Sequence, residues 1–105
     1  MTAALRSQVF SCDLGYGLKP WLVVSNNQRN RNLESVLAAR ITTTDKNAHI
    51  ATVVGLNQDD PLVGYVLCDD LVQLYGDELT RSMGVLSVGT MRLVSAGLKA
   101  ALALV

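Results

Sequence analysis

Lys19-Pro20-Trp21-Leu22-Val23-Val24-Ser25-Asn26-Asn27 is the stretch whose reading decides the fold. Proline has no N–H to offer a sheet and is tolerated at the first residue of a strand, and the Trp-Leu-Val-Val run behind it suits a pleated, buried surface. Asn26-Asn27 then turns the chain. A basic residue therefore stands at the mouth of a central strand, and the segments on either side read as its neighbours.

Upstream, Val9 to Leu14 is a short strand ended by Gly15-Tyr16-Gly17. Two glycines permit a tight reversal, which predicts a hairpin between Val9–Leu14 and Trp21–Ser25. Downstream, Asn26 to Asn32 is polar or charged throughout and reads as a loop, whose Arg29 and Arg31 can bind phosphate. Ser35 to Thr44 is the third strand. Its alternation sets Arg40, Thr42 and Thr44 on one face and Leu37, Ala39 and Ile41 on the other.

His49 to Val54 reads as a fourth strand and Leu62 to Cys68 as a fifth, ending in Cys68-Asp69-Asp70. A lone histidine in a strand is more often structural than catalytic, so His49 is not a candidate. Asp77-Glu78-Leu79 can open a helical turn, and Gly84 to Leu86 is a brief last strand. Ser87 is a good N-cap, and Met91, Val94, Leu98, Ala101 and Leu102 recur at helical spacing. Leu93, Ala96, Ala100 and Leu104 add a second apolar stripe to this closing helix, which needs a second surface to cover it.

Composition bounds the reading. A chain of 105 residues supports one core, so residues 1–105 are expected to form a single domain. Half the residues are apolar and 17% are charged, yet no apolar run reaches the roughly 20 residues a membrane span needs. Two widely separated cysteines have no metal or redox spacing, and no signal segment opens the chain. The expectation is a reduced, cytoplasmic, soluble protein that does not engage a membrane. Net charge is zero, but residues 1–50 carry six basic against three acidic groups and residues 51–105 the reverse, a hint of a polyanion-facing surface on the first half. No Gly-rich phosphate loop, metal-ligand cluster or Ser/His/Asp set is present, so no metal or other cofactor is expected.

Three segments resemble the MazF/PemK family, the toxin half of bacterial toxin–antitoxin pairs. Residues 19–27 resemble its "Arg-Pro-hydrophobic-Val-Val-Ser-Asn-Asp" segment, with Lys19 where the family has Arg. Arg40-Ile41-Thr42-Thr43-Thr44 resembles its "Pro-hydrophobic-Thr-Ser" strand end. Cys68-Asp69-Asp70 resembles the "Cys-Asp-Gln" of one branch, without the Arg that precedes it there, and the likeness extends over nearly the whole chain. It implies a mainly β, α+β fold: a small, partly open β-barrel of the Src-homology type with a C-terminal helix.

The resemblance further implies a metal-independent, sequence-selective endoribonuclease acting on single-stranded RNA, in mRNA or tRNA loops. Such an enzyme attacks through the ribose 2′-hydroxyl and leaves a 2′,3′-cyclic phosphate and a 5′-hydroxyl. A homodimer and a cognate antitoxin are its implied partners. The catalytic positions carried over are Lys19, Thr42 and Asp69. Arg40 joins them because it shares a strand face with Thr42 and can supply the two-pronged phosphate grip that Lys19 lacks. RNA contacts are expected from Tyr16 in a loop shorter than the family's, from Asn26, Asn27, Arg29 and Arg31, and from Thr44. Two alternatives remain. One is a topoisomerase-poisoning toxin of the CcdB kind, though those use a Trp-Gly-Arg-Ile-like C-terminus and this chain ends Ala-Leu-Ala-Leu-Val. The other is a catalytically inactive module that binds RNA or antitoxin, since the usual Arg is missing.

Overall fold

The computed structural model describes residues 2–104. Six strands, β1 (Gln8–Asp13), β2 (Leu18–Val23), β3 (Ser35–Thr42), β4 (Val53–Gly55), β5 (Tyr65–Tyr75) and β6 (Arg81–Val85), form one sheet in the order β4-β5-β3-β2-β1-β6. Every pairing is antiparallel. The two edge strands, β4 and β6, do not pair with each other, so the expected barrel is open along one seam.

Alternation along each strand sorts the apolar residues into two cores. Val9, Leu22, Ala39, Ile41, Val66 and Cys68 are buried on one face, together with Val94 of the C-terminal helix α2 (Val88–Ala101). Cys12, Trp21, Val23, Val36, Ala38 and Leu74 are buried on the other. The even-numbered residues of β5 change face partway, because Arg40 pairs with Leu67 whereas Ala39 pairs with Leu71. Cys68, Asp69 and Asp70 have no partner on β3, and an odd insertion reverses the parity of the residues beyond it.

That bulge explains why the fifth strand runs on to Tyr75 instead of stopping at Cys68. The two acids that look like a strand end are the bulge itself, and the alternating segment behind them re-enters the sheet. Three other expectations are corrected. The fourth strand begins at Val53, not His49, because β4 pairs only with Tyr65 to Leu67, ahead of the bulge; residues 47–52 form turns, with Ile50 N–H on Asn47 O and Val53 N–H on Ile50 O. The last strand starts earlier, at Arg81, where it pairs with Ser11.

The third correction is that Asn26 to Asn32 is not a loop but holds a short helix, α1 (Asn27–Asn32). Asn26 caps it by accepting the Arg29 N–H at 2.8 Å. Asn30 is fully buried: its Nδ2 donates to Ser25 O, its Oδ1 accepts from Ser25 Oγ at 2.6 Å, and its carbonyl accepts from Thr2 Oγ1. Ser25 Oγ also takes the Leu37 N–H. Polar side chains can be buried when each finds a partner, and here they join α1 to the ends of β2 and β3.

The closing helix starts as its sequence predicts, with Ser87 Oγ accepting from Thr90 N–H. A second tether was not legible: Asp60 accepts from Ser87 N–H through Oδ1 and from Thr90 Oγ1 through Oδ2, at 2.8 and 2.7 Å. Further along α2, Gly97 allows the helix to approach β5 so closely that a Cβ there would meet Cys68 Sγ at 2.7 Å.

Candidate active site

Lys19 and Trp21 share one face of β2, and Arg40 and Thr42 share one face of β3, the face away from α2. Trp21 is paired with Arg40 across the two strands. Continued past Pro20, which cannot donate to the ladder, the same register sets Lys19 opposite Thr42. The four residues thus form a square at the open end of the β2–β3 pair.

A cleft of about 390 Å³ opens over this corner. Its walls are Leu18, Lys19 and Pro20 of β2, residues 40–42 of β3, then Thr43, Thr44 and Val63. Sequence reasoning brought Lys19, Arg40, Thr42 and Thr44 to the same place. It missed Val63, which is 81% exposed on the rim and comes from the loop between β4 and β5. No local signal marks that residue, because the loop reaches the cleft through tertiary packing alone.

Thr44 has a specific relation to Thr42: its N–H donates to Thr42 Oγ1 at 3.2 Å. A hydroxyl that accepts in this way keeps its own hydrogen to donate, so Thr42 presents a donor to whatever enters the cleft. Lys19 and Arg40 add two cations with no acid among the cleft walls. Such a site suits a phosphodiester, whose charge rises as phosphorus becomes five-coordinate.

The other candidates lie outside these walls. Asp69 is exposed in the β5 bulge, two residues past the partner of Arg40. Tyr16 is 86% exposed at the tip of the β1–β2 hairpin, which Asp13 Oδ1 closes by accepting the N–H groups of Gly15 and Gly17. Asn26, Asn27, Arg29 and Arg31 sit at the opposite end of β2 from Lys19, roughly 20 Å away at strand rise. Asn26 is the α1 cap, and Asn27 Oδ1 accepts from Arg6 N–H. Arg29 donates through Nη1 to Ser35 O at 2.7 Å and through Nη2 to Ser35 Oγ, whereas Arg31 is exposed. His49 is exposed in the turns before β4. Among the described residues no group of three or more His, Cys, Asp or Glu converges as metal ligands would.

Fold and cleft together define a small open-barrel protein with a cationic, hydroxyl-bearing cleft whose chemistry suits a phosphodiester. Residues 5–102 match the family of PemK-like, MazF-like toxins of type II toxin–antitoxin systems, and the chain belongs to that family. It is 48% identical over 104 residues to the endoribonuclease MazF4 of Mycobacterium tuberculosis and to the endoribonuclease MazF1 of Mycobacterium bovis, covering 99% of this chain and 97% of each relative. Its fold matches that of a mycobacterial endoribonuclease solved in complex with its cognate antitoxin, with a TM-score of 0.93, 48% identity and 98% of each chain covered. The fold also matches the Mycobacterium tuberculosis toxin MazF-mt6 at 23% identity and a TM-score of 0.81, over 93% of this chain and 98% of that one.

Proposed function

We propose that this toxin is a metal-independent endoribonuclease that cleaves single-stranded RNA, in mRNA or tRNA loops, at the cleft between β2 and β3. The observation that carries the reading is the convergence of Lys19, Arg40 and Thr42 on that cleft in a chain of the MazF-like toxin family.

The planar fork of Arg40 can hold two non-bridging phosphate oxygens at once, which fixes the scissile phosphate over the strands. The ribose 2′-oxygen attacks phosphorus while its proton passes to solvent, and the Thr42 hydroxyl donates to an oxygen that gains charge. The bond from phosphorus to the 5′-oxygen then breaks. The Lys19 ammonium protonates that leaving oxygen and is reprotonated from solvent, so the products are a 2′,3′-cyclic phosphate and a 5′-hydroxyl. Asp69, outside the cleft walls, is assigned no step.

Thr44 serves as an RNA contact beside the scissile bond, Tyr16 as one at the exposed hairpin tip outside the cleft, and Asn26, Asn27, Arg29 and Arg31 as contacts for nucleotides further along the strand. The whole chain acts as one domain. In the cell it works in the cytoplasm as a homodimer, held in check by a cognate antitoxin like the one solved with its mycobacterial relative. Apolar side chains left uncovered at the β6 edge and on α2 support the dimer: Val85, Val88 and Leu93 are 55%, 72% and 56% exposed. No helix among the described residues is long and apolar enough to cross a membrane.

The test is cleavage of total RNA by the purified protein with and without a chelator, coupled to analysis of the new ends. Cyclic phosphates and free 5′-hydroxyls that form in chelator, and that fall about a hundredfold with Thr42→Ala, are expected. Intact RNA would leave an inactive binding module, and an undiminished Thr42→Ala variant would remove the mechanism. Light scattering that gives a monomer would remove the dimer.

A further inference from the structure

Trp21 takes no part in the cleavage chemistry, yet it is the residue paired with Arg40 across β2 and β3. Its side chain is 6% exposed, seated in the core on that face of the sheet with Val23, Val36 and Ala38. The guanidinium carbon of Arg40 lies 6.0 Å from its ring centroid, at the outer reach of a cation–π contact. Both residues carry a buried N–H without an acceptor, Nε1 of Trp21 and Nε of Arg40. Among the described residues no hydrogen bond or ion pair ties down the Arg40 side chain, so the indole is the contact available to set its direction.

We propose that Trp21 is a positioning residue for RNA cleavage: its ring holds the Arg40 guanidinium at the cleft so that the phosphate meets a preset fork. The inference rests on the role given to Arg40 under the proposed function. The ring faces the guanidinium from a rigid strand and attracts it, which reduces the ordering left to be done when the phosphate arrives. An aliphatic side chain at residue 21 fills the core but cannot attract the cation, whereas phenylalanine keeps a ring face for it.

Trp21 is the single tryptophan of the chain, so its emission reports this contact directly. The kinetic arm measures Trp21→Leu, Trp21→Phe, Arg40→Ala and the Trp21→Leu/Arg40→Ala pair on an RNA that the wild type cleaves, at a temperature where circular dichroism shows each variant folded. Trp21→Leu should lose about tenfold in kcat, the rate equivalent of a partly desolvated cation–π contact, with KM changed less than about twofold. Trp21→Phe should stay within about threefold of wild type. In the Arg40→Ala background Trp21→Leu should cost nothing further, whereas losses that multiply, or a Trp21→Phe variant as slow as Trp21→Leu, would overturn the proposal.

The second arm does not need Trp21→Leu to fold. The same RNA carrying a 2′-deoxyribose at the scissile nucleotide binds without being cut, and its binding should change the Trp21 emission in the wild type but not in Arg40→Ala at saturation. An equal change in both would overturn the proposal. Arg40→Ala that cleaves like wild type would sink the role of Arg40 itself, while a crippled Arg40→Ala beside a fully active Trp21→Leu would sink this inference alone.

Discussion

Gly64 lies against the carbonyl of Thr42 so closely that a Cβ at residue 64 would stand 2.5 Å from that oxygen and 3.5 Å from Ile41 Cγ2. Its φ of +138° is a conformation that side chains rarely adopt. This approach brings the loop bearing Val63 to the rim of the cleft and seats against it the end of β3, which carries Thr42 and lies just before Thr44. Gly64→Ala should therefore destabilise the protein by about 1–3 kcal/mol and cut cleavage as well. Gly84→Ala is the control, with φ +112° and a Cβ 3.0 Å from Pro61, but outside the cleft walls. Urea melts should show both variants weakened, and initial rates on folded protein should show a loss in Gly64→Ala alone.

Lys19 supplies a point charge, so its contribution is graded by what replaces it. Lys19→Ala should slow cleavage of a defined RNA by about a hundredfold, the cost of one preorganised donor, and Lys19→Arg should retain more than Lys19→Ala. Single-turnover rates read the difference. Near-wild-type cleavage by Lys19→Ala would show that the ammonium is a bystander on the rim.

Asp60 joins the β4–β5 loop to the start of α2. Burial pushes its carboxyl up, but hydrogen bonds from the backbone N–H groups of Asn57 and Ser87 and from the hydroxyls of Thr90 and Ser87 together outweigh burial, so its pKa lies below the ordinary carboxylate value. A depressed acid contributes stability that is present above its unfolded pKa, about 3.9, and lost as pH falls through the folded value. Acid unfolding should therefore lose part of its pH dependence below about pH 4 in Asp60→Asn. Asp60→Ala should cost about 1–3 kcal/mol at neutral pH, since it strands the Ser87 N–H at a helix start. Urea midpoints measured from pH 3 to pH 7 check both.

Gly97 and Cys68 share one space. Alanine favours helix, yet a Cβ at residue 97 would meet Cys68 Sγ at 2.7 Å and Val54 Cγ2 at 3.2 Å, so Gly97→Ala should destabilise by about 1–3 kcal/mol. Adding Cys68→Ala removes the sulfur and should recover much of that loss in a double-mutant cycle of thermal melts. Burial also pushes the Cys68 thiol up to about 11, with the Asp69 charge adding to it, so the thiol should resist a thiol reagent at pH 8 until the protein unfolds.

Much of the fold and part of the candidate cleft were legible in the chain itself. Period-two alternation placed Arg40 and Thr42 together, and Pro20 at a strand mouth placed Lys19, because both are local consequences of backbone geometry. Ser87 announced its helix for the same reason. Asn26 to Asn32 misled, since its polarity suggested solvent while Asn30 is buried with each polar group partnered. Asp69 and Asp70 misled too, because a bulge and a strand end look alike when the partner strand is unknown.

The chain's own order of residues determined the set of strands, the closing helix and the residue types able to hold a phosphate, all of them consequences of spacing and side-chain chemistry. Tertiary structure alone decided which of them meet. The register of β2 on β3 pairs Trp21 with Arg40, the bulge in β5 reverses its faces, and the approach of Gly64 to Thr42 brings Val63 to the rim. Each of these depends on contacts between residues distant in the chain, whose geometry is fixed only when the two cores close on opposite faces of the sheet.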